Sequence, residues 1–208
     1  MEYTIAKTSP LERGKMDSIC VYCGSADNIH PEYRLAGRLM GRTLAENGLR
    51  LIFGGGKTGV MGAVADGALE AGGEVIGVIV ESMNTPALAH FGLTQLEVTL
   101  TIHERKARMY ELADGYIALP GGFGTFDELF ETITWGQIGI HEKPVGLLNA
   151  RNFFDPLITL IDHATAEGFI FPEHRQMLSV ADTPQALLEK MKNHQHPTDA
   201  VRRWMRQD

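Results

Sequence analysis

Short apolar runs recur along the chain, and most of them are followed by a turn of small or polar residues and then by a segment with helical spacing of apolar positions. Such runs are typical of buried strands, and the segments between them are typical of amphipathic helices. The predicted strands are Ser18–Tyr22, Leu49–Phe53, Glu74–Val80, Leu96–Ile102, Tyr116–Leu119 and Lys143–Leu148, with Met177–Val180 as a last edge strand.

The helices predicted between these strands are Pro31–Asn47, Val60–Ala71, His103–Leu112, one that follows the glycines at 121–124, Phe153–Glu167 and Thr183–Lys192. Because strands alternate with helices and the connections are short, we expect an α/β fold with right-handed crossovers. The predicted architecture is a doubly wound, mostly parallel, Rossmann-like sheet of about six or seven strands with helices on both faces.

A single domain is predicted, because the 208 residues of the chain fall below the roughly 250 at which domains commonly split. We expect it to span residues 18–192. A mobile N-terminal arm is expected at residues 1–17, and a loosely held C-terminal tail at residues 193–208.

Charge and composition narrow the classes of function. With 19 basic and 26 acidic residues the formal net charge is −7, which argues against a general nucleic-acid binder or a protein of anionic membrane surfaces. No run approaches the roughly 18 apolar residues that span a bilayer, and no apolar signal-peptide region is visible, so we expect a cytoplasmic protein. Cys20 and Cys23 lack a second pair or a histidine cluster, so no metal site is predicted, and a redox pair is the weaker interpretation.

The stretch Leu119–Thr134 carries the strongest chemical signal. A predicted strand runs into Pro120 and the three glycines Gly121, Gly122 and Gly124, which allow a tight turn and a close approach to a ligand. Thr125 is predicted to cap the next helix, with Glu128 at capping-box spacing. The free amides of that helix would then suit an anion, most simply a phosphate. The alternative is that these two side chains only cap a helix.

A second glycine-rich loop, Gly54–Gly59, also lies between a predicted strand and a predicted helix. It resembles a dinucleotide fingerprint, but it follows the second strand rather than the first. A Walker A loop is rejected, because Leu51 stands where the required first glycine would be. What remains is that the backbone amides of this loop, at the end of a strand, could bind a ligand. The alternative is that the glycines only allow the strand and the helix to pack tightly.

A further turn of small residues, Cys23–Ser25, follows the first predicted strand. All three turns follow strands, so in a parallel sheet they open at one edge and should line one crevice. The residues expected there are Gly24 and Ser25 of the first turn, Gly55, Gly56 and Gly59 of the second, and Gly121, Gly122, Gly124 and Thr125 of the third. The basic segment at residues 105–108 precedes the third turn, although an exposed basic patch would explain it equally well.

Two of these segments carry a family resemblance. The sequence PGGFGTFDE resembles the PGGxGTxxE motif, and HERKA the xRKA motif, of the LOG family of cytokinin riboside 5′-monophosphate phosphoribohydrolases. The resemblance runs from about Ser18 to Pro184 and includes the GGGKTGVMG loop and the stretch ITWGQIGIHEKPVGLLN. We expect a loop at residues 81–94 that lies over the site. This loop departs from the family pattern, so no substrate contact is assigned to it.

The resemblance implies that Arg105 and Glu128 are catalytic. It implies substrate contacts from Lys106, Gly121, Gly122, Gly124, Thr125 and Thr134. It also implies a homodimer whose helices after the two motifs pack across the interface, with Phe126, Phe130, Ile133 and Trp135 as apolar surface or, alternatively, as core.

Cleavage of an N-glycosidic bond passes through a sugar cation that a carboxylate stabilises. We therefore hypothesise that Glu128 stabilises this cation and positions water, while Arg105 fixes the substrate and the geometry of Glu128. Asp127 and His103 are candidates for the acid that protonates the leaving base, and neither is assigned.

We expect no cofactor and no metal, and the motifs give no support to the lysine decarboxylase label of older annotation, which would require pyridoxal phosphate. The partner expected is a nucleoside monophosphate. Three functions stay open: a phosphoribohydrolase acting on AMP and its N6-substituted forms, a broader nucleotide 5′-monophosphate nucleosidase, and a nucleotide-binding module without turnover.

Overall fold

The computed structural model describes residues 16–204 of the chain. Seven strands occur in this part: β1 (Ser18–Tyr22), β2 (Arg50–Phe53), β3 (Val75–Val80), β4 (Gln95–Thr99), β5 (Gly115–Ala118), β6 (Val145–Leu148) and β7 (Leu178–Ala181). The helices in the same range are α1 (Pro31–Glu46), α2 (Gly59–Glu70), α3 (Ile102–Leu112), α4 (Phe123–Gln137), α5 (Asp155–Ala166), α6 (Pro172–Arg175), α7 (Pro184–Lys192) and α8 (Thr198–Trp204).

The strands form one sheet in the order β4-β3-β2-β1-β5-β6-β7. All neighbouring strands run parallel, and the register places Val21 of β1 beside Phe53 of β2 and Ile117 of β5. The chain first builds outward from β1 to β4 and then returns to the other side of β1. This reversal lies between β1 and β5, which is where open α/β sheets bind their ligands.

Apolar side chains alternate along β1 and pack into two cores, one on each face of the sheet. Ile19 and Val21 belong to the core under α1, α2 and α7, whereas Cys20 and Tyr22 belong to the core under α3, α4 and α5. Helices therefore cover both faces, and the predicted doubly wound α/β architecture is confirmed. Within residues 16–204, no helix is both long and apolar enough to cross a membrane.

The structure differs from the predicted elements at several ends. β4 stops at Thr99, because Thr101 caps α3 and forms a capping box with Glu104. The expected loose tail includes helix α8, where Ala200 and Val201 are buried. Most of the expected N-terminal arm lies outside the described residues, but Met16 already packs against the core.

Candidate active site

A cavity of about 540 Å³ opens where β1 and β5 end. Its walls come from the β1–α1 turn, the start of α2, Arg105 of α3, the β5–α4 turn with the first turns of α4, and Phe153. This volume is within the range of small-molecule sites, and its position is the one expected for a doubly wound sheet.

The β5–α4 turn supplies the amide donors of the cavity. Helix α4 begins at Phe123 with Gly122 as its N-cap, and its first helical hydrogen bond runs from the N–H of Phe126 to the carbonyl of Gly122 at 3.1 Å. The N–H groups before Phe126 have no intrahelical acceptor, and they stand at the positive end of the helix dipole. The predicted anion site therefore has its donors at the cavity wall.

The prediction that Thr125 caps α4 is wrong. Gly122 already has an extended backbone, so the helix starts earlier and Thr125 lies inside its first turn. The Thr125 side chain is buried, and it occupies the space that a Cβ on Gly121 would need. Glu128 consequently forms no capping box with Thr125, and its carboxylate is free to face α3.

The β1–α1 turn lies directly against the β5–α4 turn. The N–H of Gly24 donates to the carbonyl of Pro120 at 3.1 Å, and a Cβ on Gly24 would be only 3.0 Å from the Cα of Gly121. A side chain at position 24 would push these loops apart, so glycine is required for their close approach. Gly24 and Ser25 thereby join Gly121, Gly122, Gly124 and Thr125 at the cavity, as expected.

Arg105 and Glu128 form an ion pair in the wall of the cavity. The Nη1 of Arg105 is 2.9 Å from the Oε1 of Glu128, and each side chain is only 11% exposed. The Nε of Arg105 also donates to the carbonyl of Val78 at 2.9 Å, which fixes the guanidinium against β3. A Cβ on Gly54 would overlap this guanidinium, so the second glycine loop leaves the space that Arg105 occupies.

The protonation of Glu128 reflects two opposing effects. Burial raises the pKa of the Glu128 carboxyl above its ordinary value, whereas the charge and hydrogen bond of Arg105 lower it, and the balance is a raised pKa. Arg105 is thus the main group that favours the carboxylate form in this buried position. A carboxylate with a raised pKa in a cavity is typical of functional sites.

The second glycine loop does not bring its predicted residues to the cavity. The N–H of Gly59 donates to Asp27 Oδ1 at 3.1 Å, the carbonyl of Gly55 accepts from the N–H of His90, and Gly56 pairs with Ala89. The polar groups of this loop therefore bind the β1–α1 turn and the loop at residues 81–94. The loop at residues 81–94 packs on this glycine loop and does not line the cavity, where it had been expected.

Two further predicted contacts also lie away from the cavity. Lys106 is paired with Asp127 and Glu131, and Thr134 is exposed with its hydroxyl donating to the carbonyl of Phe130 at 2.7 Å. Neither side chain lines the cavity, nor do Asp127 and His103, the candidates for the general acid.

The sequence interpretation missed an apolar wall made by Ile29, Tyr33, Met61 and Phe153. The rings of Tyr33 and Phe153 meet edge to face with centroids 5.8 Å apart, and Phe126 supports Phe153 from behind. A planar aromatic ligand would bind well against such a wall. The only available signal was that Tyr33 lies in the first turn of α1, whose N-terminus had to start at the same edge of the sheet.

The fold and this cavity define an α/β protein in which a cavity of small-molecule size places the start of α4 beside a buried carboxylate. A family model described as "Possible lysine decarboxylase" matches residues 61–191. The cytokinin riboside 5′-monophosphate phosphoribohydrolase of Rhodococcoides fascians is 46% identical over 164 residues, which cover 78% of this chain and 83% of that protein.

The rice cytokinin riboside 5′-monophosphate phosphoribohydrolase LOG is 43% identical over 182 residues, which cover 88% of this chain and 75% of that protein. The chain belongs to the LOG family, and the resemblance seen in its motifs is confirmed. Among solved structures, the molybdenum cofactor binding protein from the phototrophic bacterium Rippkaea orientalis shares the fold. Its TM-score is 0.66 at 24% identity, with 86% of this chain and 97% of that chain covered.

Proposed function

We propose that this protein hydrolyses the N-glycosidic bond of AMP and N6-substituted adenosine 5′-monophosphates, releasing the free base and ribose 5-phosphate. The observation that carries the proposal is the buried Arg105–Glu128 pair in the wall of a cavity that also holds the amide donors of α4. The names of the curated relatives support the same reaction.

The cavity offers a distinct environment to each part of such a nucleotide. The amides at the start of α4 suit the phosphate, and the apolar wall of Tyr33 and Phe153 suits the base. The ribose then lies between the amides and the apolar wall, in the cavity that Glu128 also lines. This order follows the length of the ligand, because the sugar links its phosphate to its base.

The proposed reaction uses the carboxylate of Glu128 at the anomeric carbon. As the bond from this carbon to the base nitrogen breaks, its electron pair leaves with the base and positive charge develops on the sugar. The Glu128 carboxylate stabilises that charge and orients the attacking water, whose oxygen forms the new bond to the anomeric carbon. This water loses one proton and the departing base gains one, so the products are the neutral base and ribose 5-phosphate. Arg105 favours the ionised form of Glu128 and holds its carboxylate in place.

A substrate panel tests this function directly. The full chain is incubated with isopentenyl-AMP, AMP, GMP, CMP and adenosine, and free base is measured by chromatography. We expect base release from isopentenyl-AMP and AMP and none from adenosine, which lacks the phosphate. Comparable cleavage of GMP and CMP would support the broad nucleosidase instead, and binding of AMP without release would support a non-catalytic module.

The homodimer is part of the same proposal. Phe123 and Phe130 of α4 are 92% and 43% exposed, whereas Phe126 and Ile133 of the same helix pack against the core. The exposed pair gives a second copy an apolar surface on the helix predicted to pack across the interface. Light scattering should give twice the chain mass of 22.9 kDa, and a monomer at micromolar concentration would contradict this part.

A further inference from the structure

Lys106 follows Arg105 on α3, yet its ammonium faces α4 rather than the cavity. Its Nζ is 3.0 Å from Asp127 Oδ2 and 3.1 Å from Glu131 Oε2, and the Lys106 side chain is only 14% exposed. Burial lowers the pKa of Lys106, but the two carboxylates outweigh burial, so its pKa is raised and the ammonium stays charged. The carboxylates of Asp127 and Glu131 therefore keep the Lys106 side chain both charged and in place.

The two partners of Lys106 flank Glu128 along the helix. Asp127 and Glu131 are four residues apart, which places them on one face of α4, one turn from each other. Consecutive residues of α3 thus reach consecutive residues of α4, with Arg105 on Glu128 and Lys106 on Asp127. Two such links oppose both sliding and rotation of α4 against α3, and either motion would displace the Glu128 carboxylate.

We propose that Lys106 is a positioning residue that clamps α4 around Glu128 and makes no contact with the substrate phosphate. This inference rests on the proposed function and assigns to Lys106 a role different from the substrate contact that the family resemblance implies. The ammonium of Lys106 also lowers the pKa of Glu128, after the larger effects of burial and of Arg105. Its removal should therefore shift the ionisation of Glu128 as well as its position.

The charged groups that face Glu128 are Arg105, Asp127 and Lys106. Tyr22, Cys20 and Cys23 of β1 and its following turn also face it, and burial raises their pKa values, so they stay neutral at acid pH. Of the two carboxyls, Glu128 and not Asp127 lies in the cavity wall, so we assign an acid limb in the pH profile of kcat/KM to Glu128.

The test compares three variants of the full chain. Lys106→Met removes the cation, Asp127→Asn/Glu131→Gln removes its two partners but keeps Lys106, and Lys192→Met breaks an exposed pair on α7 as a control. We expect the first two to lower kcat for isopentenyl-AMP about 10- to 100-fold, the scale of a small misplacement of a catalytic group. KM should stay within about twofold, and the control should match the wild type.

The direction of the pH shift separates the two variants. The acid limb should move to higher pH in Lys106→Met, because a cation near Glu128 is lost, and to lower pH in the double variant, because an anion is lost. If activity were lost only because the structure is disturbed, the acid limb would stay at the wild-type pH in both variants. If Lys106 bound the substrate phosphate instead, Lys106→Met would raise KM tenfold or more at unchanged kcat, and the double variant would keep its kcat. That result would overturn the proposal.

Failure of the proposed function is visible separately. Calorimetric titration with ribose 5-phosphate, the product that carries the phosphate, should give the same Kd for wild type and Lys106→Met, and a tenfold weaker Kd in the variant overturns the inference even if no base is released. If the chain neither cleaves nor binds AMP, urea unfolding tests the clamp by itself. The free energy of unfolding is measured for Lys106→Met, for the double variant and for the variant that combines all three substitutions. Non-additive losses support the clamp, and additive losses refute it.

Discussion

Replacing Arg105 by methionine tests the electrostatics of the site, because it keeps the length of the side chain and removes its charge. The partner Glu128 is 2.9 Å away, and both side chains are 11% exposed. Breaking a buried pair of this kind costs about 3–5 kcal/mol of unfolding free energy, since one charge is left uncompensated. An exposed pair such as Lys192 with Glu189 contributes about 0–1 kcal/mol.

Protonation of Glu128 limits this cost. Burial already raises the pKa of Glu128, and Arg105 is the largest effect that lowers it, so Arg105→Met raises that pKa further. A carboxyl whose pKa is higher in the folded than in the unfolded chain stabilises the fold at low pH and loses that contribution as the pH rises through its folded pKa. We therefore expect about 3 kcal/mol of destabilisation near pH 7.5 and clearly less near pH 5.

The assay is urea unfolding of the wild type, Arg105→Met, Glu128→Gln and the double variant at both pH values. Because the histidines titrate alike in all four proteins, differences from the wild type isolate the pair. The double variant has no buried charge at the pair, so its destabilisation should fall short of the sum of the single effects by about 2 kcal/mol or more. A cost of Arg105→Met below about 1 kcal/mol at both pH values, or strict additivity, would refute the reasoning.

Two further predictions concern the cavity and the core. Gly124→Ala should keep the wild-type melting temperature, because no atom lies within 4 Å of the added Cβ. It should weaken the binding of ribose 5-phosphate about tenfold or more by filling ligand space, and an unchanged calorimetric affinity would contradict this. His141 donates from Nε2 to the carbonyl of Thr132 at 2.9 Å and accepts the N–H of Lys143 at Nδ1 at 3.0 Å, so the neutral ring is fully bonded. Burial lowers its pKa from 6.5 to about 4, so unfolding free energy should fall by up to about 3 kcal/mol as the pH drops from 6.5 towards 4; a His141→Gln variant with the same pH slope would argue against it.

The predictable part of the fold was set by local pattern. Apolar runs such as Ser18–Tyr22 match β1 residue for residue, because a strand covered on both faces needs a continuous apolar run. The end of β4 was misplaced since Leu100 and Ile102 extend its apolar pattern, although both side chains are largely exposed. Helix α8 was missed because the tail is rich in polar residues and buries only a few small side chains.

In the site, the sequence brought Arg105 and Glu128 together through their motifs, but it could not supply side-chain directions. Thr125 has good capping chemistry, yet Gly122 starts the helix first. Lys106 lies next to Arg105 in sequence and points to a different partner, because successive residues on a helix face directions about 100° apart. The contact of Phe153 with Tyr33 joins residues far apart in the chain, and no local pattern predicts such a pair.

The central claim is that the carboxylate of Glu128 performs the chemistry of this cavity. The most direct measurement is single-turnover release of ribose 5-phosphate from isopentenyl-AMP by Glu128→Gln, with the exposed Glu189→Gln as control. The variant should bind ribose 5-phosphate with about the wild-type Kd and lose about 100-fold or more in rate, the scale of removing one group that stabilises developing charge. Release at the wild-type rate by a folded Glu128→Gln protein would contradict the account.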